Sequence, residues 1–489
     1  MSSVRYSRLQ SQGVIYGLSK ASIVGLFVVA VFVAIGVMQN GVLGLLTTLP
    51  VTFPVAFISF VHAHGEPLLV HVWREVMGRT RKMFGLNTFK DRPEKRELSV
   101  VGALRLPGRE DRLHLWEAAD GSVVVWDAVK MTASVTCLVA TQGMGRGSLL
   151  SPEEKEAFTV KWAQVLGSFT QRAHISRIAV QEQTRPGTVA AERLYMQEHA
   201  EHSAAFHSYQ QALDLAEEIV TMHRTQVTVT IDTTKSEGKE MVKAQGGGKL
   251  GVLSLMELEM GSVAEALGQA GFTRVAWLNP REWAAWGRGL IDPAAQSMID
   301  ARLGSAYEGV DPEASIPMVV QDERTWVETD SAWHRTFWIN EWPRLDTYPG
   351  FLDTIVFARN NEGVPVRHTF MLVMDPTLMN DALKKVEEQK RTWRTNQALR
   401  AKAGKPDSAS DEADWNNIVQ HERDLVAGQG ELRFGAFITV TALTKDDLEK
   451  SAATMRNACA MAGLEPRILA WSQAEALMNV AYPSGLGMK

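Results

Sequence analysis

The chain has 489 residues, a formal net charge of -5 and 45% hydrophobic residues, so it can bury a sizeable core beyond any membrane segment. The near-neutral balance gives no sign of a dedicated nucleic-acid binder, and no sequence-specific contact to nucleic acid is expected. Its two cysteines, Cys137 and Cys459, stand far apart and outside any CxxC or Cys/His cluster, which fits a reducing cytoplasm and argues against a disulfide scaffold.

Residues 1–20 form a short leading segment with Arg5, Arg8 and Lys20. Residues 21–61 then contain no Asp, Glu, Lys or Arg. A helix needs about 20 apolar residues to cross the hydrocarbon core. Residues 21–38 and 42–61 each come close, with Gln39, Asn40 and Gly41 as a turn between them. The pattern predicts a transmembrane helical hairpin, kinked in its second helix by Pro50 and Pro54. Two such runs back to back do not suit a cleaved signal peptide. Arg74, Arg79, Arg81, Lys82, Lys90 and Arg92 follow the second run, while the turn carries no charge. The positive-inside rule therefore places both termini in the cytoplasm of a multi-pass plasma-membrane protein.

Residues 62–96 are read as an amphipathic helix and a linker. Leu68, Leu69, Val72, Trp73, Val76, Met77 and Phe84 recur at helical spacing, interleaved with basic residues. That composition suits a helix lying on an anionic leaflet, and a helix capping the soluble domain is the alternative. His62, His64 and His71 have no acidic or Cys partner in the sequence and are not assigned a metal.

Residues 97–350 read as a first cytoplasmic α/β region. Runs 113–118, 122–127 and 132–141 form a meander with Asp120-Gly121 as its hairpin turn. Ser151-Pro152-Glu153-Glu154 opens a helix with a capping box. A strand over 174–183, helical sequence over 188–223 and a strand over 226–233 follow. Residues 235–251 read as a polar, Gly-rich loop. A helix over 252–270, a strand over 273–278, a helix over 280–303 and an aromatic strand region over 326–342 complete it. Residues 351–489 read as a second, ferredoxin-like α+β region. It has strands at 351–358 and 365–374, helices from 376 to 428 broken by a polar linker near 405–411, a strand over 432–442, a helix over 445–462, a strand over 466–471 and a short helix over 472–480. The fold class expected is α+β: a two-helix transmembrane hairpin followed by a mixed α/β domain with ferredoxin-like units.

Three stretches invite a chemical reading. Gly246-Gly247-Gly248-Lys249-Leu250 resembles a phosphate-binding loop, but Lys243 stands where its first Gly should be and Leu250 replaces the Mg-binding hydroxyl. Glu198, His199, Glu201, His202 and His207 are the densest set of potential ligands. Their spacing is not HExxH, and a solvated helix face accounts for them. Lys384, Lys385, Lys390, Arg391, Arg394, Arg400 and Lys402 make a basic helix that Glu387 and Glu388 break up. No nucleophile elbow occurs. The sequence leads to no catalytic, cofactor-binding or metal residues, and to a chain that is not an enzyme.

Two regions carry a family resemblance. The uncharged pair of segments over 21–61 resembles PrgI-type membrane proteins of conjugation systems. The run from Glu431 to Gly487, with FGAFITVTA, an acidic helix, PRILAWS and a turn at Tyr482-Pro483-Ser484-Gly485-Leu486-Gly487, resembles the end of the N-terminal domain of conjugation ATPases of the CagE/TrbE class. The layout is similar to integral membrane proteins of actinobacterial conjugative elements. The resemblance implies an ATPase-docking domain without the motor, in an inner-membrane component of a conjugative type IV secretion machine. A separate secretion ATPase, channel subunits and further copies of the chain would then be its partners. A structural membrane subunit of a type VII system, similar to EccE, is the alternative.

Overall fold

The computed structural model describes residues 20–485 apart from 42, 64–65, 92–102, 142–149, 188, 201–203, 344–346, 403–408 and 427–429. Two apolar helices come first, α1 (Lys20–Asn40) and α2 (Leu43–Phe60). Between them Gly41 takes φ 57, a left-handed conformation that glycine adopts without steric cost. The helices lie along one another. The Ser22 hydroxyl donates to the Ser59 carbonyl at 2.8 Å near one end. At the other, Gly36 and Gly44 approach so closely that a Cβ on Gly44 would meet the Gly36 oxygen at 1.9 Å. Small residues at such a contact let two helix backbones approach in an apolar medium. Among the described residues only α1, over Ser22–Asn40, is long and apolar enough to cross a membrane. The apolar part of α2, Thr47–Ser59, is shorter. Of the two spanning helices expected, the described residues thus contain one that meets the length.

Bridging strands β1 (His62–Ala63) and β2 (Glu66–Pro67) lead into α3 (Leu68–Met83) and β3 (Thr88–Lys90). A meander follows: β4 (Ala103–Leu106), β5 (Arg109–Glu117), β6 (Val123–Asp127) and β7 (Thr132–Thr141). Next come α4 (Pro152–Phe169), β8 (Ile175–Pro186), α5 (Ala190–Ala200), α6 (Phe206–Ile219) and β9 (Thr221–Asp232). Then α7 (Ser236–Ala244), α8 (Gly248–Ala270), β10 (Phe272–Trp277), α9 (Pro280–Ile291) and α10 (Gln296–Asp300). The remainder is β11 (Val319–Asp322), β12 (Val327–Glu328), β13 (Trp333–Glu341), α11 (Asp353–Val356), β14 (His368–Thr377), α12 (Met379–Lys402), α13 (Ala409–Val426), β15 (Glu431–Ala442), α14 (Lys445–Met461), β16 (Glu465–Ile468) and α15 (Gln473–Ala481).

Apart from β1 and β2, all these strands form one 14-stranded sheet. Its order is β3-β11-β12-β13-β15-β14-β8-β9-β7-β6-β5-β4, with β10 beside β7 and β16 beside β13, and every pairing is antiparallel. The sheet runs unbroken past residue 350. The segment 351–358, expected as a strand, instead holds α11, whose Ile355 is buried against the α14 core. The 235–251 stretch, expected as a loop, contains α7. Its Val242 packs with Val252, Leu255 and Met256 of α8, and burial overrides a polar composition.

The sheet repeats itself. In the first half β8-β9-β7-β10 lie side by side, and in the second β14-β15-β13-β16 do so in the same sequence order. Helix α4 with α8 covers one face of the first half, packing Phe169, Val263 and Leu267 on Ile178 and Val229. Helix α14, with α11, covers the same face of the second, packing Leu448 and Met455 on Ile438 and Val440. The opposite face is closed by α9 and α15, where Trp283, Leu477, Met478 and Tyr482 meet Ala179 and Met371. Cross-strand polar pairs recur too. Ser134 and Thr136 meet Thr230 and Thr228 at 3.0 and 2.9 Å in the first half. His334 and Thr336 meet Thr441 and Thr439 at 2.9 and 2.8 Å in the second.

Candidate functional site: the junction between the apolar helices and the sheet

Helix α3 is where the apolar helices meet the sheet, and its sequence explains why it has two different faces. Gly78 is its buried residue. A Cβ there would sit 2.1 Å from the indole of Trp471, so only glycine lets the helix backbone rest on that ring. One turn earlier, Glu75 Oε2 accepts from Trp471 Nε1 at 2.9 Å and from Arg324 Nε at 2.9 Å. Its Oε1 accepts from Arg79 Nε at 3.0 Å. Arg324 foremost, with Trp471 and Arg79, holds the Glu75 carboxyl below the usual carboxylate range. One turn later Lys82 Nζ lies 2.7 Å from Glu323, and Arg81 lies 3.9 Å from Asp322. The chain then enters the sheet as β3, pairing with β11, and Asn87 Nδ2 donates to the Asp322 carbonyl at 3.0 Å.

Trp471 itself is 8% exposed and sits at φ 60. A left-handed non-glycine residue costs roughly 1–2 kcal/mol. Here its N–H donates to the Arg324 carbonyl at 3.0 Å while the ring spans Glu75 and Gly78, so the same residues that strain it also hold it. Asp322, behind this contact, accepts from the Ala474 N–H at 3.0 Å. Burial pushes its carboxyl up to about 6.

The other face of α3 is open. Trp73, Val76 and Met77, with Phe84 just past the helix, are 62%, 51%, 43% and 66% exposed, beside Arg74 and Arg79. The amphipathic pattern read from the sequence thus resolves into two contacts: a docked edge at residues 75, 78, 81 and 82, and an exposed apolar stripe.

The other candidate stretches are not drawn together. His199 stacks on Tyr195 with ring centres 4.2 Å apart, and His207 meets Phe206 edge-on. Glu201, His202 and His64 lie outside the described residues. Among the described residues no group of three or more His, Cys, Asp or Glu is placed to hold a metal ion. The Gly246–Gly248 turn joins α7 to α8 in left-handed conformations. Its Gly246 and Gly247 N–H groups donate back to Lys243 and Val242, and Lys249 lies over Trp116 at 5.3 Å. Those donors are spent on a helix end rather than turned outward to a phosphate. On the basic helix, Lys390 pairs with Glu422, Lys385 lies 3.8 Å from Glu431, and Arg394 lies over Trp415. Cys137 and Cys459 are buried thiols, each pushed by burial to about 12.

The junction contact was not legible in the sequence, because its two sides, residues 75–82 and Trp471, lie far apart in the chain. The available signal was a lone glycine inside an amphipathic helix. A second was the recurrence of Ala-Gly followed by Ala-Trp: Ala270-Gly271 with Ala276-Trp277, then Ala462-Gly463 with Ala470-Trp471. Protein-family models give no match to the chain, and no curated protein matches it.

Proposed function

We propose that the chain is a non-enzymatic inner-membrane component of a conjugative type IV secretion machine, and that its cytoplasmic body docks a separate ATPase at the channel base. The observation that carries this reading is the junction. An apolar helix long enough to cross a membrane is followed by a helix whose one edge is fastened to the sheet through Glu75, Gly78, Arg81 and Lys82. Such a connection transmits position, whereas a flexible tether would only confine the body near the bilayer. On this reading α1 crosses the plasma membrane and α2 returns beside it through the Ser22–Ser59 and Gly36–Gly44 contacts. Both termini then lie in the cytoplasm, as the flanking Lys and Arg residues favour. The stripe at Trp73, Val76 and Met77 rests on the leaflet. We take the two halves of the sheet as ferredoxin-like units, because their strand order and crossover helices follow that arrangement. The conjugation assignment itself rests on the resemblance of residues 21–61 and 431–487.

Removing residues 365–489 would not test the docking role, since β14 and β15 lie in the middle of the sheet. The experiment is membrane fractionation of the cognate conjugation ATPase in cells carrying the full chain or a chain lacking residues 20–61. The ATPase should follow the full chain to membranes and fall to the level of cells without the chain when the two helices are absent. Equal membrane recovery with both chains would rule out the tethering role.

A further inference from the structure

The repeat brings β8 and β14 together as antiparallel neighbours at the centre of the sheet, with Gln181 opposite Met371. Counting outward from that pair, each step on one side has a counterpart on the other. Four residues to one side, Arg177 lies against Asp375, with Nε to Oδ1 at 2.6 Å and a second bond to Oδ2 at 2.8 Å. Four residues to the other side, the register that pairs Thr184 with His368 brings Arg185 to Arg367. A bidentate ion pair at one end is replaced by two guanidinium groups at the other.

These groups share the face closed by α9 and α15, because Arg185 and Arg367 alternate in step with Ala179 and Met371 of that core. Arg224 of β9 joins them on that face, opposite Gln183. One carboxylate serves the group. Asp300 of α10 accepts from Arg185 Nη2 and from Gln296 Nε2 on Oδ1, both at 2.9 Å, its Oδ2 lies 2.9 Å from Arg185 Nη1 in an ion pair, and Arg224 reaches it only at 3.8 Å. The Arg185 side chain is 3% exposed, yet its Nε has no partner. Among the described residues the Arg367 guanidinium makes no ion pair or hydrogen bond. Burial, with Arg185 adding repulsion, pushes it down to about 10. Glu308 acts on Arg224 from further away, and its Oε2 is occupied by the Gly304 N–H at 2.9 Å. Arg224 is 29% exposed and Arg367 half-buried, so the cluster reaches solvent, and three cations against one close carboxylate leave an excess positive charge that an anion would offset.

We propose that Arg185, Arg224 and Arg367 form a binding site for a phosphoryl group, either free phosphate or the phosphate of a nucleotide. The planar fork of arginine suits a tetrahedral oxyanion, and a dianion would match the excess charge of the cluster. Asp300 holds Arg185 in place and leaves its Nε for the ligand. The proposal rests on the sheet alone and is independent of the membrane reading.

The test is thermal unfolding of the full chain in detergent at fixed ionic strength, with sodium phosphate or ADP replacing sodium chloride. Ligand bound only to the folded state raises the unfolding temperature in a saturable way. Phosphate should raise it by several degrees, and the more effective of phosphate and ADP identifies the source of the group. Arg367→Gln should unfold at the same temperature or higher in chloride, since it removes a repelling charge. It should also lose most of the phosphate response. Arg177→Gln, at the paired end, should unfold earlier and keep that response. If phosphate and ADP do no more than chloride, or if Arg367→Gln responds as the unaltered chain does, the site does not exist.

Discussion

Replacing Trp471 with alanine should cost about 3–5 kcal/mol, the range for removing a packed Trp side chain. The indole fills the space over Gly78 and donates to Glu75, so its loss leaves both a cavity and a carboxylate short of one partner. Alanine also keeps the left-handed backbone at residue 471 with less to hold it there. The damage should concentrate at the junction. Arg79, Arg81 and Lys82 in α3 are tryptic sites that the docked helix protects. In Trp471→Ala they should be cut many-fold faster, while sites in the α14 core stay protected. Restoring bulk from the other side is no remedy, since any side chain at residue 78 would occupy the volume of the ring. An unaltered cleavage rate in α3, with a full loss of stability elsewhere, would show that Trp471 serves the core and not the junction.

Acid should weaken the body, and two histidines set the window. His334 is buried between the hydroxyls of Thr329 and Thr441 at 2.8 and 2.9 Å, and burial pushes it down to about 3. Burial pushes His368 down to about 4. In the unfolded chain both would protonate near 6.5, so the unfolded state takes up protons first. Their contribution is complete above pH 6.5 and is lost as pH falls toward the folded values. At pH 5 each costs about 2 kcal/mol relative to neutral pH. Asp322 works the other way. Its carboxyl is raised to about 6, so its ionisation penalises the fold at neutral pH and is relieved on acidification, which returns about 1 kcal/mol at pH 5. The net expectation is a loss of about 3 kcal/mol between pH 7 and pH 5, read as a clear fall in unfolding temperature. Asp322→Asn should unfold later at pH 7 and fall more steeply. A body equally stable at both pH values would mean that the two imidazoles are hydrated.

Much of the architecture was legible because it is written in local patterns. The uncharged run at 21–61, the Asp120-Gly121 turn with Gly121 at φ 83, and the Ser151/Glu154 capping box are all signals within a few residues of one another. The strand after each long helix was found for the same reason. The repeat and the central β8–β14 pairing were not, because they join segments far apart in the chain. The junction was half legible. Amphipathic spacing marked α3, but nothing local to residues 68–83 points to Trp471 or Arg324. The arginine cluster was invisible, since Arg185, Arg224 and Arg367 come from three separate stretches and only the sheet register sets them side by side.

The central claim is that the apolar helices carry this body on the cytoplasmic side of a membrane, and a pair of single cysteines tests it most directly. Both natural thiols, Cys137 and Cys459, are buried, so an introduced cysteine reports its own position. Asn40→Cys stands at the end of α1 beside the turn, and Glu362→Cys stands on an exposed turn of the body. A maleimide that cannot cross membranes should label residue 40 in intact cells and residue 362 only after lysis. Labelling of residue 362 in intact cells, or of residue 40 only after lysis, would contradict the account.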